Sequence, residues 1–190
     1  MMVAAAMLIV RLYDMYGVAP VDRDAAKATA AAILNEAGVD LRWRDCTDAG
    51  SCVDTLRQPE VVIRLLAGGE SRDTNVLGYS LVDVGHRVGT LATVFGDRVA
   101  DLARLAAVDN GELLGLAMAH EVGHLLLGRA EHARAGLMRA HWTAADLQRR
   151  RPADWQWSRD EQAALRSAAA ARSVDPNQRM AQLGRGAPLQ

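Results

Sequence analysis

The sequence predicts one α+β domain: a mixed sheet of about four or five strands, a helix backing it, a second long apolar helix and a C-terminal helix. Three observations carry that prediction. Aliphatic runs at 7–13, 39–44 and 61–66 surround one Ala-rich helical stretch, and strand, helix, strand, strand at this spacing calls for a sheet with a crossover helix on one face. Residues 112–127 (ELLGLAMAHEVGHLLL) form an uninterrupted, strongly apolar segment of helical length. The chain has 190 residues, 50% hydrophobic and 24% charged, enough for a core of its own and incompatible with a wholly disordered chain.

The elements follow in order. MLIVRLY at 7–13 suits a buried strand. Gly17 and Pro20 punctuate the turn after it, and Asp22 is a plausible N-cap for a helix over 23–37 that places Ile33 and Leu34 inward and stops at Gly38. VDLRWR at 39–44 alternates as a strand does, 45–59 is a loop, and VVIRLL at 61–66 is a third strand. A glycine-containing loop spans 67–77. Residues 78–84 and 90–95 then read as one irregular strand or a bulged pair around Gly85, His86 and Gly89. Residues 97–107 have helical spacing, Asp109 and Asn110 mark a break or cap, and Gly128 closes the apolar helix. The stretch 129–141 has no regular pattern, and a last helix over 160–171 is capped by Ser158. The domain is expected to occupy 1–173 and a flexible tail 174–190.

Composition narrows the function classes. Net charge is −1, which gives no electrostatic case for nucleic acid or an anionic membrane. No apolar run approaches the length needed to span a bilayer. Aromatics are 4% of the chain, so the core must be built from aliphatics and alanine. Cys46 and Cys52 stand in one polar loop, a spacing that can close a small disulfide. An extracytoplasmic location is favoured if they do, and a cytoplasmic one otherwise. The apolar stretch 3–10 is short and has no basic residue before it, so it reads as the lead into the first strand.

The apolar helix carries His120, Glu121 and His124, the pattern H-E-x-x-H. Residues four apart lie one above the other on a helix, so both imidazoles can reach one metal ion. Glu121 follows the first histidine, which sets its carboxylate beside the metal, where it can take a proton from zinc-bound water. Catalytic zinc has three protein ligands and one open position. His132 is the leading third ligand, because Gly128 lets the chain leave the helix and turn back; Glu131, Glu161 and Asp146 are alternatives. Among other polar residues, His86 reads as a solvated turn, Arg139 and His141 as substrate-facing or scaffold, Tyr79 as an unsupported oxyanion candidate, and Arg149, Arg150 and Arg151 as a solvated face.

HEVGHLLLGRAEH followed by AGLMRAHW resembles the metzincin group of zinc metallopeptidases, in particular small bacterial predicted zinc proteases with a G-[LI]-M-R-A-x-W segment. The likeness covers residues 120–142. Gly128 comes one residue later and His132 two residues later than in the usual metzincin spacing. The resemblance implies a zincin-like fold, one catalytic Zn2+, a methionine turn at Met138 and a peptide or protein substrate. It also implies an exposed edge strand beside the active-site helix, for which Thr90, Leu91, Ala92, Thr93 and Val94 are the candidates. The expected activity is endopeptidase, with Glu121 as general base. The alternatives are a zinc hydrolase of a small amide and a non-catalytic metal-binding protein of the same fold.

Overall fold

A computed structural model describes residues 5–46, 51–68, 76–149 and 151–173. The order is β1 (Ala6–Asp14), α1 (Pro20–Glu36), β2 (Val39–Asp45), β3 (Glu60–Leu66), β4 (Gly78–Asp83), β5 (Val88–Phe95), α2 (Gly96–Ala106), α3 (Asn110–Leu127), α4 (Ala144–Arg149), a 3-10 turn at Pro152–Trp155 and α5 (Arg159–Ser173). The tail expected at 174–190 lies outside the described residues.

The five strands form one sheet in the order β2-β1-β3-β5-β4. β1, β2, β3 and β5 pair in parallel, and β4 joins antiparallel at one edge, with a shift of register between Leu81 and Val82. Alternation divides the sheet cleanly. Leu8, Val10 and Leu12 of β1, Val61, Ile63 and Leu65 of β3, and Ala92 and Val94 of β5 are buried toward the helices. The α1 helix connects β1 to the parallel β2 and packs along α3. Helix α3 lies at the centre: every residue from Leu113 to Leu127 is buried, as its all-round apolar sequence requires.

Two expectations need correction. The 90–94 stretch is not an edge. Thr90, Leu91, Ala92, Thr93 and Val94 belong to β5, which is paired with β3 on one side and β4 on the other. Both strands of this hairpin are short, so composition could not say which lies outside; among the described strands the sheet edge beside α3 is β4. Helix α1 begins at Pro20, not after Asp22: proline fixes φ and needs no N–H partner in the first turn, so it opens the helix without a side-chain cap. Asp22 instead accepts a hydrogen bond from Asn110 Nδ2 at 2.8 Å, tying α1 to the start of α3. Beyond the expected elements, α4 and the 3-10 turn lie in 144–155, a stretch to which the sequence reading assigned no element.

The loop between β2 and β3 is tied down. Cys46 and Cys52 form a disulfide, with Cα atoms 5.6 Å apart. Behind it, Arg11 is 2% exposed and donates to Glu60 Oε2 at 2.6 Å, Asp54 Oδ2 at 3.0 Å and the Asp54 carbonyl at 2.8 Å.

Candidate metal centre

Helix α3 is started by the Asp109 carboxylate, which accepts the Glu112 N–H at 2.7 Å, and ended by Gly128 at φ +61°. A left-handed conformation of that kind favours glycine. The helix therefore delivers His120, Glu121 and His124 to fixed depths, 7%, 5% and 4% exposed. His120 and His124 point the same way, with Nε2 atoms 3.1 Å apart. The chain beyond Gly128 folds back and brings His132 Nε2 to 3.3 Å from His124 Nε2. All three ligand nitrogens lie within 4.8 Å of one another.

Two backbone carbonyls orient the rings. His120 Nδ1 donates to the Leu137 carbonyl and His124 Nδ1 to the Arg129 carbonyl, each at 2.8 Å. A carbonyl can only accept, so each Nδ1 carries the proton and each Nε2 presents a lone pair inward. Burial pushes His120 down to about 3, against the hydrogen bond to Leu137 and with help from His124 and His132. His124 is lowered mainly by burial as well. His120 and His124 are thus held below the ordinary imidazole range, with Nδ1 as the donor and Nε2 turned toward the neighbouring rings. That donor set fits a divalent cation.

Glu121 is held from the edge strand. Ser80 Oγ lies 2.7 Å from Glu121 Oε2 and donates to it. Gly78 sits against the other oxygen: a Cβ at that position would lie 2.8 Å from Glu121 Oε1. Burial pushes the Glu121 carboxyl up to about 7, opposed by the Ser80 hydroxyl. That value suits proton transfer at neutral pH.

Beneath these residues the chain turns at Gly136 (φ +77°), and Met138 is fully buried. The Met138 carbonyl accepts the Ala133 N–H at 2.8 Å, and Leu137 N–H donates to the Gln156 carbonyl at 3.1 Å. Met138 Sδ packs against Gly123, where an added Cβ would lie 2.9 Å from the sulfur. Trp142 meets His120 edge-on with centroids 5.5 Å apart, and Trp155 stands in the same way against Trp142 at 5.3 Å.

The alternative ligands are engaged elsewhere. Glu161 accepts from Arg129 and from the Ser158 N–H and hydroxyl, all at 2.9 Å. Asp146 accepts from Thr143 and pairs with Arg139 and Arg149. Glu131 is exposed outside the cluster. Tyr79 leans on Phe95 with centroids 5.9 Å apart, away from Glu121 on the strand's other face, and His86 pairs with Asp83 in an exposed turn. Arg139 and His141 do line a cavity of about 240 Å³ beside His120, Glu121 and His132. Ser80 had no distinctive signal in the sequence except its place in β4: Gly78, Ser80 and Val82 share the inward face.

No family model and no curated protein sequence matches the chain. Solved structures do. The chain is similar to metalloproteinase-II from Bacteroides fragilis, at TM-score 0.54 and 15% identity over 88% of this chain and 54% of that one. It therefore spans about half the length of the Bacteroides protein. Archaemetzincin from Methanopyrus kandleri matches at TM-score 0.52 and 15% identity, covering 88% of this chain and 98% of that one. A zinc-dependent peptidase from Methanocorpusculum labreanum matches at TM-score 0.53 and 15% identity, covering 83% and 99%. The likeness establishes the zincin-like α+β fold that these metallopeptidases share.

Proposed function

We propose that the protein is a zinc-dependent endopeptidase in which His120, His124 and His132 hold the ion, Glu121 is the general base and Met138 forms the methionine turn beneath them. The observation that carries this reading is the convergence of three imidazole Nε2 atoms beside a buried glutamate that is not among them. Neighbours of the same fold that are metalloproteinases and zinc-dependent peptidases support it. A zinc ion in such a site polarises the scissile carbonyl and brings bound water to a pKa near 7. Glu121 takes the proton of the attacking water and passes it to the amine nitrogen as the C–N bond breaks, leaving a carboxylate and a free amine. Ser80 fixes the rotamer of that carboxylate from the edge strand. The open side of β4 accepts the substrate backbone as an added strand, which gives affinity without demanding one sequence. The Cys46–Cys52 bond favours an oxidising compartment.

The test is metal content followed by turnover. The purified protein should carry about one zinc per chain, and the His120→Ala, His124→Ala double variant should carry none. Glu121→Gln should keep its zinc and lose peptide hydrolysis by roughly a hundredfold or more. Full zinc in the double variant, or undiminished cleavage by Glu121→Gln, overturns the reading.

A further inference from the structure

The cavity beside the three histidines is lined by Leu77 and Gly78 at the start of the edge strand, by Ala117 of α3 and by the segment after Met138. Its walls are largely apolar, but its polar groups are one-sided. Arg139, His141 and His132 line it, and among the described residues the one carboxylate of its lining is Glu121, already bonded to Ser80. Two N–H groups of residues in this wall are unspent: Arg139 Nη2 and Trp142 Nε1 are buried behind its surface and have no hydrogen-bond partner among the described residues. Buried donors without acceptors are costly, each by an amount comparable to a lost hydrogen bond.

Arg139 is held in place and only partly neutralised. Its Nε donates to the Gly136 carbonyl at 3.3 Å and its guanidinium lies over the Trp155 ring, 5.4 Å from the centroid. The nearest acid, Asp146, stands 3.6 Å from Arg139 Nη1 and already accepts the Thr143 N–H and hydroxyl and pairs with Arg149. A planar cation fixed by stacking, with a free donor and an indole N–H on the same wall, matches a planar anionic acceptor.

We propose, resting on the peptidase reading above, that this cavity takes a carboxylate of the substrate. Arg139 and the Trp142 indole read it, so cleavage is favoured next to an acidic side chain or a free C-terminal carboxylate. Arg139 is thereby a specificity-determining residue, and Trp142 joins the site to the Trp155 stack that holds the arginine in place.

The experiment compares kcat/KM on matched fluorogenic peptides. One series exchanges Glu for Gln at each position flanking the cleaved bond; another exchanges a free C-terminal acid for its amide. The acidic member of one series should be cleaved roughly tenfold to a hundredfold faster, the range of a charge-assisted hydrogen bond. The series that shows it identifies the source of the carboxylate. Arg139→Gln should cost the acidic member that factor more than the neutral one, and Trp142→Phe, which keeps the ring and removes the N–H, should narrow the preference. Equal rates within both series, or an unchanged ratio in Arg139→Gln, overturn the proposal while leaving the peptidase reading intact. If the parent cleaves no peptide, that reading fails instead. Tryptophan fluorescence then decides the cavity separately. N-acetylglutamate amide should bind the parent roughly tenfold or more tightly than N-acetylglutamine amide does, and Arg139→Gln should abolish the difference. Equal binding of the two probes overturns the proposal on its own.

Discussion

Replacing Gly123 by alanine sets two effects of opposite sign against each other. The position is in the interior of α3, where alanine is favoured over glycine by about 1 kcal/mol of helix propensity. The space argues the other way. The added Cβ would stand 2.6 Å from Trp157 Cη2 and 2.9 Å from Met138 Sδ. Neither neighbour yields easily: Trp157 is 3% exposed with its indole N–H bonded to the Ile33 carbonyl at 3.0 Å, and Met138 is fully buried. Forcing one carbon into a packed core costs about 1–3 kcal/mol, and two contacts this short place the variant toward the upper end, so overpacking wins by about 1–2 kcal/mol. For a chain of this size that lowers the thermal midpoint by roughly 2–8 °C. A second effect follows from chain connectivity. Met138 is adjacent to Leu137, whose carbonyl orients His120, so a displaced Met138 loosens that ring and weakens metal binding. Thermal unfolding by circular dichroism and a competitive zinc titration read the two effects. A midpoint raised by the propensity term, with zinc affinity unchanged, would refute the packing argument.

Two further outcomes are expected. Ser80→Ala removes the hydroxyl that fixes Glu121 and should lower kcat about tenfold, with KM and zinc content held and with Ser80→Thr restoring much of the rate; steady-state kinetics with metal analysis check this, and an unaltered kcat contradicts it. Acid should destabilise the fold partly through Glu60: burial alone would raise its carboxyl, but the Arg11 hydrogen bond, the Arg57 backbone N–H and the Arg11 charge outweigh burial and hold it below the ordinary range. The folded value lies below the unfolded one, so this stability is present above the unfolded pKa and is lost as pH falls through the folded value. Glu60→Gln should cost about 1–3 kcal/mol near neutrality and flatten the acid limb of a stability-against-pH curve; an identical acid limb in parent and variant would count against it.

Most of the parallel sheet was legible because its strands are short aliphatic runs bounded by turn residues, and α3 because 112–127 is apolar at all but Glu112, His120, Glu121 and His124. The histidine pair and Glu121 were legible from helical spacing alone, and Gly128 from its place after the last apolar residue. What was hidden depends on long-range geometry. Whether β4 or β5 forms the edge is settled by β3 claiming one side of β5, which no local pattern encodes. Ser80 enters the site through folding that brings a residue some forty positions from Glu121 against it, and it has no unusual neighbourhood in the sequence; Trp142 stood in the segment that carries the metzincin resemblance, but its contact with His120 was not legible there. The start of α1 was misplaced because Asp22 looks like a cap, while proline at the first helical position needs none. Helix α4 escaped notice because a helix of six residues lacks enough turns to show a period.

The three imidazoles belong to parts of the molecule with different tempers. His120 and His124 ride on the innermost helix, buried along nearly its whole length, and amides of such core elements are the last to open to solvent. His132 rides on an exposed stretch without regular structure, fastened by few backbone bonds, and stretches of that kind open far more often. On the proposed zinc reading, exchange of the ion would be gated at one corner: unhooking the loop would expose the centre while the helix keeps its two donors aligned. A chelator should strip the protein at the tempo of that loop, well ahead of global unfolding, and the emptied helix should stand ready to be refilled.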